Sequence, residues 1–182
     1  MLDGLKKRLR EHEGVIPHMY LDTLGYVTAA VGHLLSTVEM ACHLPWVHPD
    51  GTRASIEEVT AEFNAVLALD KAKLPSYYEQ RTKLRLLEDG IDQTLDADVE
   101  IMTKGVTHYF PNFSTFPEPA QEALLDMAFQ LGPSGLVNKF PNLTAAVKEQ
   151  KWDLCATRCH RAGIQEWRNK ATVDLFSQAV TA

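Results

Sequence analysis

Residues 13–33 read EGVIPHMYLDTLGYVTAAVGH and contain the clearest structural signals in the chain. Gly14 suits the left-handed backbone that commonly ends a helix, and Pro17 prevents the helix from resuming. Between Pro17 and Val31, aromatic and β-branched residues flank the segment DTLG at residues 22–25. An aspartate bonds to nearby backbone N–H groups and a glycine accepts a positive φ, so this segment predicts the turn of a β-hairpin.

A helix is predicted immediately before this run. Leu2, Leu5 and Leu9 recur at helical spacing among lysine, arginine and glutamate residues. A single apolar stripe of this kind is typical of an amphipathic helix, which we expect over residues 2–12. Glu13 then belongs to the last turn of the helix and is held at a rigid corner of the chain.

Three polar residues of the run would share one surface if the hairpin folds back towards the helix end. They are Glu13, Asp22 at the turn and Thr28 on the returning strand. Glycoside hydrolysis requires a proton donor for the leaving oxygen, a carboxylate across the sugar and a polar group that holds water. Glu13 as the donor needs partial desolvation by its neighbours and by bound sugar, whereas Asp22 should stay ionised on a wetter turn.

The same residues resemble the active-site helix and hairpin of phage-type lysozymes, glycoside hydrolase family 24. The resemblance rests on Glu13-Gly14, on the nine residues from Glu13 to Asp22 and on the six more to Thr28. Further similar motifs are GHLL at 32–35, LDMAFQLG at 125–132, KWD at 151–153 and, more weakly, RNKA at 168–171. Together they cover most of residues 5–176, and residues 36–90 match only loosely.

The resemblance implies an α+β fold that is predominantly helical and lysozyme-like. We expect a single domain over residues 1–182, built from two lobes around a cleft. The small lobe would contain the β-hairpin and span about residues 13–90. The larger lobe would be a helical bundle formed by about residues 1–12 together with residues 91–182.

The family also implies an activity, that of a muramidase cleaving the β-1,4 bond between N-acetylmuramic acid and N-acetylglucosamine. Glu13 would protonate the glycosidic oxygen, while Asp22 and Thr28 would position the water that attacks from the far face with inversion. A related chitinase, chitosanase or lytic transglycosylase using the same acid is an alternative. A non-catalytic lysozyme-like module for wall binding or toxin translocation is another.

Further site residues follow only from the resemblance. Phe129 and Gln130 match residues that face the sugar cleft in the family. His33 and Lys170 are grouped with them as substrate-binding candidates, although the matching histidine is chiefly structural. Lys170 stands where the family has an arginine that braces the catalytic glutamate, and a lysine lacks the bidentate fork. Ala30 replaces a family glycine and would strain the strand if that position needs a positive φ.

Composition sets limits on location and partners. The chain has 182 residues, a formal net charge of −6 and no apolar run approaching 18 residues, so no membrane span is predicted. The N-terminal helix is charged and lacks the features of a secretory signal. We therefore expect synthesis in the bacterial cytoplasm and action on peptidoglycan glycan strands in the periplasm or cell wall. The protein would be an endolysin or an exported antibacterial effector with a fused delivery domain and an immunity protein.

Metal, cofactor and nucleic-acid sites are not predicted. No phosphate-binding loop, cofactor fingerprint or nucleic-acid motif occurs in the sequence. Cys155 and Cys159 are one helical turn apart, a spacing that favours packing in the core over a disulfide. Cys42 and His43, with His48 nearby, make an incomplete ligand set for zinc.

The rest of the chain has helical patterns. Ser55 begins a capping box, and a long helix is expected over residues 92–107, joining the lobes by resemblance. Further helices are predicted over residues 120–131, 141–149, 151–161 and 168–179. Loops are predicted over residues 45–53 and 108–119, and Trp152 and Trp167 are assigned to the core. The cations Arg158, Arg161, Arg168 and Lys170 either line a solvated face or border the cleft.

Overall fold

The computed structural model of the protein describes residues 3–182, and of Asp3 the backbone alone. The fold is α+β and predominantly helical, as predicted, with ten α-helices and two small antiparallel sheets in the described part of the chain. The chain forms two compact units. The first contains residues 13–98, and the second contains residues 1–12 together with residues 99–182.

Helix α1 spans Asp3–Glu13, close to the predicted range. Leu5 and Leu9 are completely buried, which confirms the apolar stripe, while Leu2 lies outside the described residues. Gly14 follows with a φ of 77°, the left-handed conformation that a glycine adopts at little cost. The helix therefore ends at Glu13 for the local reason expected from the sequence.

The unit of residues 13–98 contains the predicted hairpin. Strands β1 (Ile16–Leu21), β2 (Val27–Ala30) and β3 (His33–Leu34) form an antiparallel sheet in the order β1-β2-β3. Tyr20 pairs with Thr28, and Ile16 pairs with Ala30, with a register irregularity between these two pairs. The sheet places Thr28 on the central strand.

A second, two-stranded sheet corrects the loop predicted over residues 45–53. Strand β4 (Trp46–Val47) pairs with β5 (Arg85–Leu86), and helix α2 (Val38–His43) precedes it. Trp46 is completely buried and its indole Nε1 donates to the carbonyl oxygen of Ala41 at 2.8 Å. A short strand of this kind depends on a partner about 40 residues away, and local sequence patterns do not reveal such partners.

Helix α3 (Ile56–Leu67) begins at the predicted capping box, in which Ser55 and Glu58 exchange side-chain and backbone hydrogen bonds. Val59, Phe63 and Val66 are buried on one face, whereas the two terminal apolar residues, Ile56 and Leu67, are exposed. Helix α4 (Pro75–Glu79) packs against β1 and contributes the fully buried Tyr78.

Helix α5 (Glu88–Tyr109) is longer than the predicted range of residues 92–107, and it contributes residues to both units. It contains several acidic residues among its apolar ones. Within residues 3–182, no helix combines the length and the apolar character needed to cross a membrane.

The second unit is a helical bundle centred on α6 (Glu118–Leu131), whose residues from Ala123 to Leu125 and from Met127 to Ala128 are completely buried. Helix α10 packs against both α6 and α9. The remaining helices are α7 (Pro133–Lys139), α8 (Pro141–Lys148), α9 (Trp152–Arg158) and α10 (Glu166–Ala179). Helix α7 was not predicted, because the glycines and proline of residues 132–135 indicated only a helix end.

The two tryptophans of this unit have different environments. Trp152 is buried, and its ring stacks on that of Phe176 with an interplanar angle of 9°. Trp167 is 52% exposed in the first turn of α10, so its assignment to the core was wrong. Cys155 and Cys159 are buried free thiols, as predicted.

Candidate active site

The carboxylate of Asp22 organises the hairpin turn. Its Oδ1 accepts hydrogen bonds from the backbone N–H groups of Leu24, Gly25 and Tyr26 at 2.9, 2.8 and 2.8 Å. Gly25 has a φ of 95°, which an L-residue rarely adopts. The turn chemistry predicted from the sequence is thus confirmed, and it fixes the orientation of a half-buried carboxylate.

Thr28 lies directly across the β1–β2 ladder from Tyr20. Its hydroxyl donates to the carbonyl oxygen of Tyr26 at 3.2 Å, and the residue is buried. Directly paired residues in an antiparallel sheet have side chains on the same face. Tyr20 and Thr28 are therefore neighbours on one face of the sheet, and Asp22 follows directly after the end of β1.

Tyr20 was not identified from the sequence. Burial and, to a smaller extent, the negative charges of Asp22 and Glu13 together raise the pKa of its hydroxyl from 10.0 to about 12. Both carboxylates therefore lie within electrostatic reach of one phenol. The available signal was its position two residues before Asp22, and the structure pairs it with Thr28 across the ladder.

Glu13 is the last residue of α1, and it is exposed in the free protein. The partial desolvation expected of a proton donor is thus not supplied by its neighbours alone.

His33, at the start of β3, is held by an acidic partner. Its Nδ1 lies 2.9 Å from both carboxylate oxygens of Asp98. Both side chains are largely buried, at 14% and 19% exposure. This contact agrees with the structural role implied by the resemblance, and binding of substrate by His33 stays a prediction.

Ala30 ends β2 with a φ of 55° and is almost completely buried. This is the left-handed region, where a β-carbon meets the following carbonyl oxygen and costs about 1 kcal/mol. Ala30 thus has the positive φ under which strain of the strand was predicted.

Phe129 and Gln130 lie near the end of α6, in the helical unit. Phe129 is half-buried and Gln130 is exposed. The Oε1 atom of Gln130 accepts a hydrogen bond from Nη1 of Arg161 at 2.9 Å. Arg161 itself is buried, so an interior cation orients a surface amide.

A buried ionic cluster supports this arrangement, centred on Asp126 of α6. Its carboxylate contacts Nδ1 of His12 at 2.8 Å, Nη2 of Arg161 at 2.9 Å and Nη2 of Arg168 at 3.4 Å. Burial alone would raise the pKa of Asp126, but these contacts outweigh burial and lower the pKa to about 2. Sequence patterns gave no sign of the cluster, because its members are up to 156 positions apart.

The cations near the C-terminus are divided between the interior and the surface. Lys170 is exposed and its Nζ contacts Asp174 at 2.7 Å, one turn further along α10. Arg168, two residues before it, is buried in the Asp126 cluster. Arg158 donates to the carbonyl oxygen of Asn142 at 3.2 Å. The observed contact of Lys170 is thus a surface ion pair, and a bracing role for this residue has no support from its position.

The residues considered for zinc have other partners. His48 contacts Glu58 at 3.2 Å, and Cys42 lies 3.6 Å from the hydroxyl of Thr60. Among residues 3–182, no three histidine, cysteine, aspartate or glutamate side chains are grouped so as to hold a metal ion.

Comparison of the chain with models of known protein families and with curated proteins finds no match. The assignment of a function therefore rests on the residues and geometry of this chain.

Proposed function

We propose that the protein is a peptidoglycan-cleaving muramidase, with Glu13 as the general acid and Asp22 and Thr28 as the groups that position the attacking water. The observation that supports it best is the arrangement around Tyr20. The charges of Asp22, at the hairpin turn, and Glu13, at the helix end, both raise the pKa of the Tyr20 hydroxyl. Thr28 is the cross-strand partner of Tyr20.

The two acids have environments that suit different tasks. Asp22 is held in one orientation by three backbone N–H groups, as a group that positions a water molecule requires. Glu13 is exposed and becomes desolvated only when a glycan covers it, so the substrate itself would complete the proton donor.

Thr28 supplies the third group. Its hydroxyl proton is directed to the carbonyl oxygen of Tyr26, which leaves the lone pairs of Oγ1 to accept a hydrogen bond from water. A water held between Thr28 and the carboxylate of Asp22 would attack the anomeric carbon and pass its proton to Asp22, while the C–O bond breaks and Glu13 protonates the leaving oxygen. This route inverts the configuration of the sugar.

The direct test is digestion of purified sacculi followed by mass spectrometry of the released fragments. We expect muropeptides with reducing ends and N-acetylmuramic acid at the cleaved position. Glu13→Gln should lower the rate of release by about 10²- to 10⁴-fold, because it removes the transferable proton at nearly constant shape. Glu11→Gln, two residues earlier on the same helix and exposed, is the matched control and should retain the parent rate.

Other products would identify other functions. Fragments with 1,6-anhydro ends indicate a lytic transglycosylase, and cleavage of chitin or chitosan in preference to sacculi indicates a chitinase or chitosanase. Retention on sacculi without released fragments indicates a non-catalytic wall-binding module. If Glu13→Gln released fragments at the parent rate, Glu13 would not be the general acid.

The setting of the activity is part of the proposal. The protein would be made in the bacterial cytoplasm and act in the periplasm or cell wall, either as an endolysin or as an effector domain. The net charge of −6 disfavours non-specific attraction to an anionic wall. Local contacts with glycan strands, or a fused delivery domain, would then bring the enzyme to its substrate. An effector would also be expected to bind an immunity protein.

A further inference from the structure

We propose that His18 is an acid-sensitive latch in the unit of residues 13–98: the neutral ring holds α4 against β1, and protonation of the ring releases the helix from the strand. The latch lies in the strand that leads to Asp22. Its operation does not depend on the proposed catalytic activity, because the groups involved hold the fold and not the substrate.

His18 lies in the irregular part of β1. The ladder between β1 and β2 changes register between Ile16 and Tyr20, so residues 17–19 of β1 stand opposite residue 29 of β2. Extra residues of this kind interrupt the ladder of backbone hydrogen bonds. This part of the strand therefore depends on contacts with elements other than β2.

A hydrogen bond joins the imidazole ring to α4. Nε2 of His18 lies 3.0 Å from the carbonyl oxygen of Pro75, the first residue of the helix. A carbonyl oxygen can only accept, so Nε2 has the proton, and Nδ1 of the neutral ring has a lone pair. Nδ1 is buried and has no hydrogen-bond partner among residues 3–182, and His18 as a whole is 3% exposed.

Protonation adds a second N–H group and a positive charge to this buried ring. The described residues offer no acceptor to an N–H group at Nδ1, and burial of an unpaired charge is costly. Burial accordingly lowers the pKa of His18 below its usual value, and it outweighs the hydrogen bond to Pro75, which raises the pKa. Release of α4 would let water solvate the cation, so the neutral ring belongs to the closed state and the charged ring to the open state.

The charges around the ring do not compensate for its burial. Strands β2 and β5 and helices α3 and α4 pack against β1. Strand β2 contributes no titratable group, and those of the other elements are Glu57, Glu58 and Glu62 of α3, Tyr77, Tyr78 and Glu79 of α4, and Arg85 of β5. Glu79 favours a positive charge on His18, whereas Arg85 opposes it. The carboxylate of Glu62 instead accepts from the backbone N–H groups of residues 83 and 84 at 2.6 and 3.1 Å.

The direction of the pH effect follows from the two states. In the open state the pKa of His18 returns towards its usual value of 6.5, so opening takes up a proton below that pH. The closed state therefore keeps its stability above pH 6.5 and loses it, relative to the open state, as the pH falls through 6.5. Between pH 7.5 and 5.5 we expect the equilibrium constant for opening to rise about 5- to 10-fold.

Hydrogen exchange of the full chain, followed by NMR at pH 7.5 and 5.5 and corrected for the intrinsic exchange rate, measures this constant. The amides of Tyr77 and Arg81, which donate to carbonyl oxygens in and next to α4, report on the helix, and those of residues 18–21 report on the strand. A helix of five residues is not stable alone, so its amides should lose protection on release. In the parent, both groups of amides should show the 5- to 10-fold rise.

Two substitutions isolate the latch. His18→Gln places an uncharged amide N–H near the position of Nε2, so the bond to Pro75 can form but the ring titration is lost. Its opening constants should be equal at the two pH values. His43→Gln removes an exposed histidine of the same unit and is the matched control, which should retain the pH dependence of the parent.

Three results would overturn the proposal. They are an unchanged opening constant in the parent, the same pH dependence in His18→Gln as in the parent, and an equal rise for the amides of α8, which would show that opening is not local. If His18→Gln fails to fold, NMR titration of the His18 ring in the parent decides the question. A midpoint below pH 6.5 supports the latch, and a midpoint at or above pH 6.5 rejects it. The muramidase proposal is tested separately, by digestion of sacculi.

Discussion

Nδ1 of His12 lies 2.8 Å from Oδ1 of Asp126, and both side chains are 3% exposed or less. The carboxylate also contacts Arg161, which orients Gln130, and the ring of His12 meets that of Trp167 edge-on at 4.9 Å. One buried acid thus links the last turn of α1 to α6 and to the segment before α10.

Acid should weaken the protein through this carboxylate. The pKa of Asp126 falls from 3.8 to about 2 in the folded state, so its contribution is complete well above pH 4 and is lost as the pH falls towards 2. The contribution is about 2 kcal/mol in all, of which about 1 kcal/mol is lost by pH 3. Urea unfolding at pH 6, 4 and 3 measures this. The free energy of unfolding of the parent should approach that of Asp126→Asn as the pH falls, whereas that of Asp174→Asn, a surface variant, should change with pH as the parent's does. A constant gap between the parent and Asp126→Asn would contradict this assignment.

Ala30→Gly should stabilise the protein. It relieves the left-handed strain at a φ of 55°, and we expect the free energy of unfolding to rise by about 0.5 kcal/mol after the loss of a buried methyl group. Ala29→Gly is the matched control, because Ala29 lies in the same strand and is equally buried. It removes a buried methyl group and adds backbone freedom without relieving any strain, so it should lower the free energy of unfolding by about 1 kcal/mol. Equal destabilisation by the two changes would show that Ala30 stores no strain.

Substitutions of Asp22 should separate its structural and chemical roles. Asp22→Asn keeps an Oδ1 acceptor for the turn and should change stability by less than about 0.5 kcal/mol, while Asp22→Ala should cost about 1–2 kcal/mol. Both substitutions remove the negative charge, so both should reduce the rate at which muropeptide fragments are released from sacculi. Thermal unfolding and digestion measured on the same preparations test this pair, and full activity in Asp22→Asn would exclude a catalytic charge there.

The titration of Tyr20 reports on the proximity of the two acids. Its pKa of about 12 is set first by burial and then by the charges of Asp22 and Glu13. Removing either negative charge should lower this pKa. In an NMR titration, the midpoint of the chemical-shift change of the Tyr20 ring carbons should therefore move to lower pH in Asp22→Asn and in Glu13→Gln. Glu11→Gln should leave it in place. An unchanged transition in Glu13→Gln would place Glu13 away from the hairpin face.

Thiol reactivity should distinguish the three cysteines. Burial raises the pKa of Cys155 to about 12 and that of Cys159 to about 11, so neither forms a thiolate at neutral pH. Cys42 is half-buried. With an aromatic disulfide reagent at pH 8, we expect one equivalent to react in the native protein and three after denaturation. Cys42→Ser should abolish the native reaction.

Features predicted correctly from the sequence depend on residues close together in the chain. The end of α1 needs Gly14, the turn needs Asp22 and Gly25, and the start of α3 needs Ser55 and Glu58, all within four positions of their partners. The predicted core leucines follow from helical period alone. For Ala30, the family resemblance predicted strain only if the position needs a positive φ, and the backbone has a φ of 55°.

The errors concern residues whose environment is set at long range. Trp167 has a large apolar side chain of the kind that usually packs in a core. Its position in the first turn of α10 nevertheless leaves it half exposed. Strand β4 exists because β5, about 40 residues away, pairs with it. Tyr20 was missed because a tyrosine on a strand usually reflects packing.

The amino-acid sequence by itself determined where helices and turns begin and end, because capping and turn hydrogen bonds join neighbouring residues and cost little chain entropy. It also determined which acids stand at a helix end and at a hairpin turn. Tertiary structure alone decided that Asp126 would gather His12, Arg161 and Arg168 in the interior, and that Gln130 would be held in one orientation. Burial of a charge is favourable only when distant partners arrive together, and no short segment encodes that encounter.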